Sequence, residues 1–80
     1  MLLTPAAIAE ALDGTFHPIS TYGTLAGAIT ADGLPNLNVE RARDGWAIHA
    51  ARSPRHAPLH LARDVAPGWA ARAIRATFTL

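Results

Sequence analysis

The 80-residue chain has no cysteine and no lysine, and none of its arginines precedes position 41. Without cysteine there is no disulfide staple, no thiolate nucleophile and no thiolate zinc site, which fits a reducing compartment. No stretch approaches the ~18 uninterrupted apolar residues of a membrane span. Met1-Leu2-Leu3-Thr4-Pro5 lacks the basic region and the long apolar run of a secretory signal. The expected location is the cytoplasm, with no role for a membrane. Aromatic residues make up only 6% of the chain, so few large side chains are left to build a core.

Half the residues are apolar, but 18 of those 40 are alanine. Eighty residues specify one domain, 1–80, near the size at which a single hydrophobic core becomes marginal. Each methylene that alanine lacks forgoes ~0.8 kcal/mol of burial. A homodimer would enlarge such a core, and self-association is one partnership to look for.

The charges are sorted by position. Residues 1–40 carry Glu10, Asp13, Asp32 and Glu40 against no base (−4), whereas residues 41–80 carry seven arginines against Asp44 and Asp64 (+5). A GC-rich coding sequence accounts for arginine in place of lysine, but not for its confinement to one half. Unless the fold intermixes the halves, the net charge of +1 hides a bipolar molecule.

Thr4-Pro5 followed by Ala6-Ala7-Ile8-Ala9-Glu10-Ala11-Leu12-Asp13-Gly14 predicts a helix over about 5–13, with a capping hydroxyl, proline at the first helical position and a closing glycine. Ile8 and Leu12 stack on its buried side with Leu3, and Glu10 and Asp13 face water. Thr15-Phe16-His17-Pro18-Ile19 reads as a short strand that its proline confines to an edge. Over 20–33 the spacing of Tyr22, Leu25, Ala26 and Ile29 favours a helix with Ser20 as a cap and Gly33 at its end. Gly23, Gly27 and the threonines favour a strand instead.

Leu37-Asn38-Val39-Glu40-Arg41-Ala42 and Trp46-Ala47-Ile48-His49-Ala50 alternate on either side of Arg43-Asp44-Gly45, the pattern of a β-hairpin. Leu37, Val39, Trp46 and Ile48 share its buried face, with Asn38 and Glu40 on the other. Residues 53–58, with Pro54 and Pro58, predict an irregular basic loop. Leu59-His60-Leu61 re-enters the sheet. Residues 65–76 form either a helix capped by Asp64 or, after an Ala66-Pro67-Gly68-Trp69 turn, a strand over 69–80. In both cases Thr77-Phe78-Thr79-Leu80 reads as strand. The fold class is a small α+β domain: a three- to four-stranded, mainly antiparallel sheet, an N-terminal helix and one or two further helices.

The candidate binding residues are arginines. A guanidinium offers a planar fork of donors suited to phosphate or carboxylate, and it stacks on rings. Arg41, Arg43, Arg52 and Arg55 surround one connected stretch at the hairpin ends; Arg63, Arg72 and Arg75 depend on the fold of 65–76. Trp69, beside Pro67-Gly68, is a candidate aromatic anchor, and Trp46 belongs to the core. His17, His49, His56 and His60 do not form a metal motif, because Pro58 removes the helix that would align His56 with His60. Ser20 and Ser53 lie in no nucleophile elbow, and Gly23-x-x-x-Gly27 lacks the lysine of a phosphate loop. No enzyme, metal or cofactor is expected.

In overall character the chain resembles the small phage-encoded anti-CRISPR proteins: one compact domain, no cysteine, no catalytic constellation and uneven charge. The resemblance spans the whole length and rests on no motif, so it assigns no residue roles. It implies a protein of the host cytoplasm that docks on a Cas effector subunit and blocks its access to nucleic acid. The expected function is a non-enzymatic protein-binding inhibitor or adaptor, with Arg41, Arg43, Arg52, Arg55 and Trp69 at the partner. The alternative is a small nucleic-acid-binding or regulatory protein that uses the arginines directly.

Overall fold

Thr4 caps the first helix as its position predicts: its hydroxyl accepts from the backbone N–H of Ala7 at 3.1 Å, and Pro5 opens the helix. The computed structural model describes residues 2–19, 22–52 and 57–78. Its elements are α1 (Pro5–Ala11), β1 (Thr15–Pro18), β2 (Leu25–Thr30), β3 (Leu37–Ala42), β4 (Gly45–Ala50), β5 (Leu59–Ala62) and α2 (Pro67–Phe78). The five strands form one antiparallel sheet in the order β1-β2-β3-β4-β5, so each pairs with its neighbour in sequence. That is an α+β domain, with more strands than the three or four expected.

Both helices lie on one face of the sheet. Phe16, Ile29, Leu37, Val39, Ile48 and Leu61 point toward them, and Leu3, Ile8, Leu12, Ala70, Ile74 and Phe78 complete a single cluster. All but Phe16 in that set are buried. Thr15, His17, Thr30, Ala28, Asn38, Glu40, His49, Ala47 and His60 have the opposite parity and line the uncovered face.

The helix expected over 20–33 is a strand in its described part. The spacing of Leu25, Ala26 and Ile29 suits a helix, yet backbone contact decides otherwise. A Cβ at Gly27 would overlap the His17 carbonyl and lie 2.7 Å from the Phe16 ring, so the glycine is what lets β1 close on β2. A register shift between Leu25 and Gly27 also blurs the alternation that would have marked a strand. Ser20, the proposed cap, lies outside the described residues.

At the C-terminus residues 67–76 are helical, but α2 begins at Pro67 rather than Val65, so Asp64 lies too far ahead of it to cap it, and α2 continues through Thr77 and Phe78, which were expected in a strand. Ala70, Ile74 and Phe78 are buried at intervals of four, so burying the Phe78 ring outweighs the strand preference of its threonine neighbours. Residues 79 and 80, and positions 53–56 of the expected loop, lie outside the described residues. Gly14 does not close α1 in the left-handed conformation either. Asp13 holds that position, with φ 54, and Gly14 sits against the Thr30 carbonyl, where a Cβ would collide.

The hairpin expected around Arg43-Asp44-Gly45 forms, with its turn narrowed to Arg43-Asp44 because Gly45 pairs with Ala42; Arg41 lies opposite Trp46 and Val39 opposite Ile48. β1 is an edge strand, as Pro18 required.

Candidate binding groove

Parity along β3 decides where Arg41 goes. It shares the face of Leu37 and Val39, so its side chain leaves the sheet on the helix-covered side, directly across from Trp46 on β4. In this register the two form a non-hydrogen-bonded pair, whose side chains lie closer than in the alternate pairs. Arg41 reaches toward the start of β2, where Nη1 donates to the Gly23 carbonyl at 3.0 Å and its backbone N–H donates to the Thr24 carbonyl. The Trp46 indole N–H donates to the Leu3 carbonyl at 2.9 Å, which ties the segment before α1 to β4.

These contacts frame a groove of about 620 Å³ beside the first turn of α1, lined by Pro5, Phe16, Pro18, Ile19, Ala26, Arg41 and Trp46. Arg41 is the one ionisable side chain in that set. Ile19 is 59% exposed at the rim, and Tyr22, next to the Gly23 that receives Arg41, is 85% exposed. A chain short of large apolar residues thus leaves two of them beside one concavity.

The remaining candidates are dispersed. Arg43 sits in the β3–β4 turn, and Arg63 donates its backbone N–H to Asp44 in that same turn, so Arg41, Arg43 and Arg63 gather at one end of the sheet. Arg52 follows the far end of β4, about 20 Å away at the usual rise of ~3.3 Å per residue over six residues. The described arginines therefore do not form the one patch expected at the hairpin ends, because successive turns of an antiparallel hairpin lie at opposite ends of the sheet. Arg55 lies outside the described residues. Trp69 stands 59% exposed in the first turn of α2, away from the groove lining. Arg75 donates to the Leu12 carbonyl at 2.9 Å and closes the end of α1.

The two sequence halves are intermixed in space. Asp44 and Asp64 share the end that holds Arg43 and Arg63, while Asp13 and Asp32 line a small polar hollow at the opposite end with Thr15, Thr30 and Asn36. The bipolar molecule suggested by charge order is absent from the described fold. On the uncovered face, His49 Nε2 pairs with Glu40 at 2.9 Å and His17 Nε2 with Thr30 at 3.0 Å. Among the described residues no three histidine or acidic side chains are grouped to hold a metal.

Sequence reasoning placed Trp46 in the core and overlooked Phe16, Pro18 and Ile19 as lining. The available signal was an arginine at a position whose parity is apolar, opposite a tryptophan across a two-residue turn. No protein family, curated protein or solved structure matches the chain.

Proposed function

We propose that the protein is a non-enzymatic binding module, an inhibitor or adaptor that engages a protein partner through the Arg41 groove. The observation that carries this reading is one guanidinium set in otherwise apolar walls, with an exposed isoleucine at the rim. Burying a partner's aliphatic or aromatic side chain there is worth roughly 1.5–3 kcal/mol. The guanidinium adds the selection through its charge, which attracts a carboxylate and repels an amine. The occupant is therefore a segment of a partner protein that presents an apolar side chain next to an Asp, a Glu or a C-terminal carboxylate.

A binding role suits this lining better than chemistry. Among the described residues, the lining has no hydroxyl, thiol, imidazole or carboxylate to act as nucleophile, acid or base. The likeness to anti-CRISPR proteins supplies one class of receptor, an acidic loop on a Cas effector subunit.

Selection from a random peptide display library tests the reading. Peptides retained by the wild type should pair an apolar residue with a carboxylate, and Arg41→Glu should invert the preference to lysine or arginine. Enrichment that ignores the charge at position 41, or no enrichment at all, would sink it.

A further inference from the structure

The fold has already committed the hydrogen-bond donors in the walls of the Arg41 groove. Among the described lining residues, only Trp46 and Arg41 have side-chain donors, and the indole N–H is held by the Leu3 carbonyl at 2.9 Å. Of the backbone groups, the Ile19 N–H donates to the Ala26 carbonyl and the Arg41 N–H to the Thr24 carbonyl, while Pro5 and Pro18 have none. A sugar or a nucleoside would give up water here and find few donors in return. An alkyl chain gives up no hydrogen bonds at all. Charge narrows the class further, because one guanidinium balances one negative charge, and a dianion such as a phosphate monoester would bring a second charge against apolar walls. The groove, at about 620 Å³, also falls in the range of ~300–1,000 Å³ typical of small-molecule sites.

We propose that the groove binds small apolar monocarboxylates, such as medium-chain alkyl carboxylates, and that a bound one excludes the acidic segment of the protein partner. The inference rests on the partner reading for its site and adds a small-molecule regulator to it. The carboxylate lies against the Arg41 charge and the tail against Phe16, Pro18, Ala26 and Trp46. The lining crosses four strands, from Pro18 on β1 to Trp46 on β4, which is three inter-strand spacings or about 14 Å. An extended chain of ~1.5 Å bonds at ~111° advances about 1.25 Å per carbon, so about eleven carbons span the lining. Affinity then depends on two separable features, one charge at the head and the length of the tail.

Titration of the ¹⁵N-labelled chain with octanoate, followed by nuclear magnetic resonance, should give a Kd of about 0.1–5 mM. The Trp46 indole and the amides of Ile19, Ala26 and Arg41 should shift, while the Trp69 indole, outside the groove, stays in place. From butanoate to octanoate, binding should tighten about two- to fourfold per added methylene, and it should level off by about dodecanoate. Octylamine and 1-octanol should bind at least about tenfold more weakly than octanoate. Arg41→Ala should erase that preference, and Arg41→Lys, which keeps the charge, should retain it. A peptide selected for its carboxylate should be displaced by octanoate. No binding of octanoate at about 10 mM, octanol binding as tightly as octanoate, an affinity indifferent to tail length, or peptide and octanoate bound together would each overturn the proposal. Acidic peptides that bind where octanoate does not would overturn this inference alone, whereas octanoate binding without any peptide enrichment would uphold the ligand site and remove the partner reading.

Discussion

Gly45 is the position where the fold leaves least room. It opens β4 opposite Ala62, and a Cβ there would overlap the Leu61 carbonyl and lie 2.9 Å from both Ala62 Cα and the Leu61 carbonyl carbon. Every one of those atoms is backbone, so no side-chain rotation relieves the clash and β5 itself must move. Overpacking costs about 1–3 kcal/mol, and a rigid surround puts Gly45→Ala at the top of that range. The alanine also restricts the unfolded chain, which returns about 0.4–1 kcal/mol. The net loss is about 2–3 kcal/mol, against a total stability of roughly 4–12 kcal/mol for a chain of this length. At 4–8 °C per kcal/mol for a small domain, the melting temperature should fall by about 10–20 °C. Gly68→Ala is the matched control. It lies in the first turn of α2 with nothing within 4 Å of its Cβ position, so the same chemical change should stabilise by up to about 1 kcal/mol. Thermal and urea unfolding followed by circular dichroism compares the two. A Gly45→Ala protein melting within 2–3 °C of wild type, or a Gly68→Ala protein melting clearly below it, would refute the steric argument.

Thr4→Ala removes the hydroxyl that receives the Ala7 N–H and should cost about 1 kcal/mol in urea unfolding. Arg75→Met keeps the aliphatic stem but withdraws the donor from the Leu12 carbonyl, and should cost about 0.5–1.5 kcal/mol in the same assay. With Arg41 and Arg43 at one end of the hairpin and Arg52 at the other, duplex DNA binding should be weak and lack a steep salt dependence. A fluorescence-anisotropy titration at several salt concentrations checks this, and a log–log slope of several would restore the nucleic-acid reading.

The parts legible in the sequence were those whose local chemistry and tertiary contacts agree. Thr4-Pro5 and the Ile8–Leu12 pair specify α1 from its own residues, and the alternation on either side of Arg43-Asp44 specifies β3 and β4 down to the buried face. β2 was hidden because Leu25, Ala26 and Ile29 satisfy both periods, and the deciding contact is Gly27 against β1, a residue pairing the local pattern cannot display. α2 was ambiguous for the opposite reason: Phe78 counts toward a strand by its neighbours and toward a helix only once Ala70 and Ile74 are seen beneath it. The groove was half legible. Arg41 and its parity were on view, but Phe16, Pro18 and Ile19 reach it only through the β1–β2 pairing. Arg52 joined the expected patch through proximity in sequence, which an antiparallel hairpin converts into distance.

The central claim is that Arg41 selects a carboxylate in an apolar groove, and a double-mutant cycle tests it most directly. The readout is Trp46 fluorescence in a Trp69→Phe background, titrated with a selected acidic peptide and with its Asp→Asn or Glu→Gln analogue, on proteins carrying Arg41 or Arg41→Ala. A charge-assisted hydrogen bond of about 1.5–3 kcal/mol predicts a loss of roughly 10- to 150-fold from either change alone and little further loss from both together. Losses that simply multiply, or an Arg41→Ala protein that binds the acidic peptide as tightly as wild type, would contradict the account.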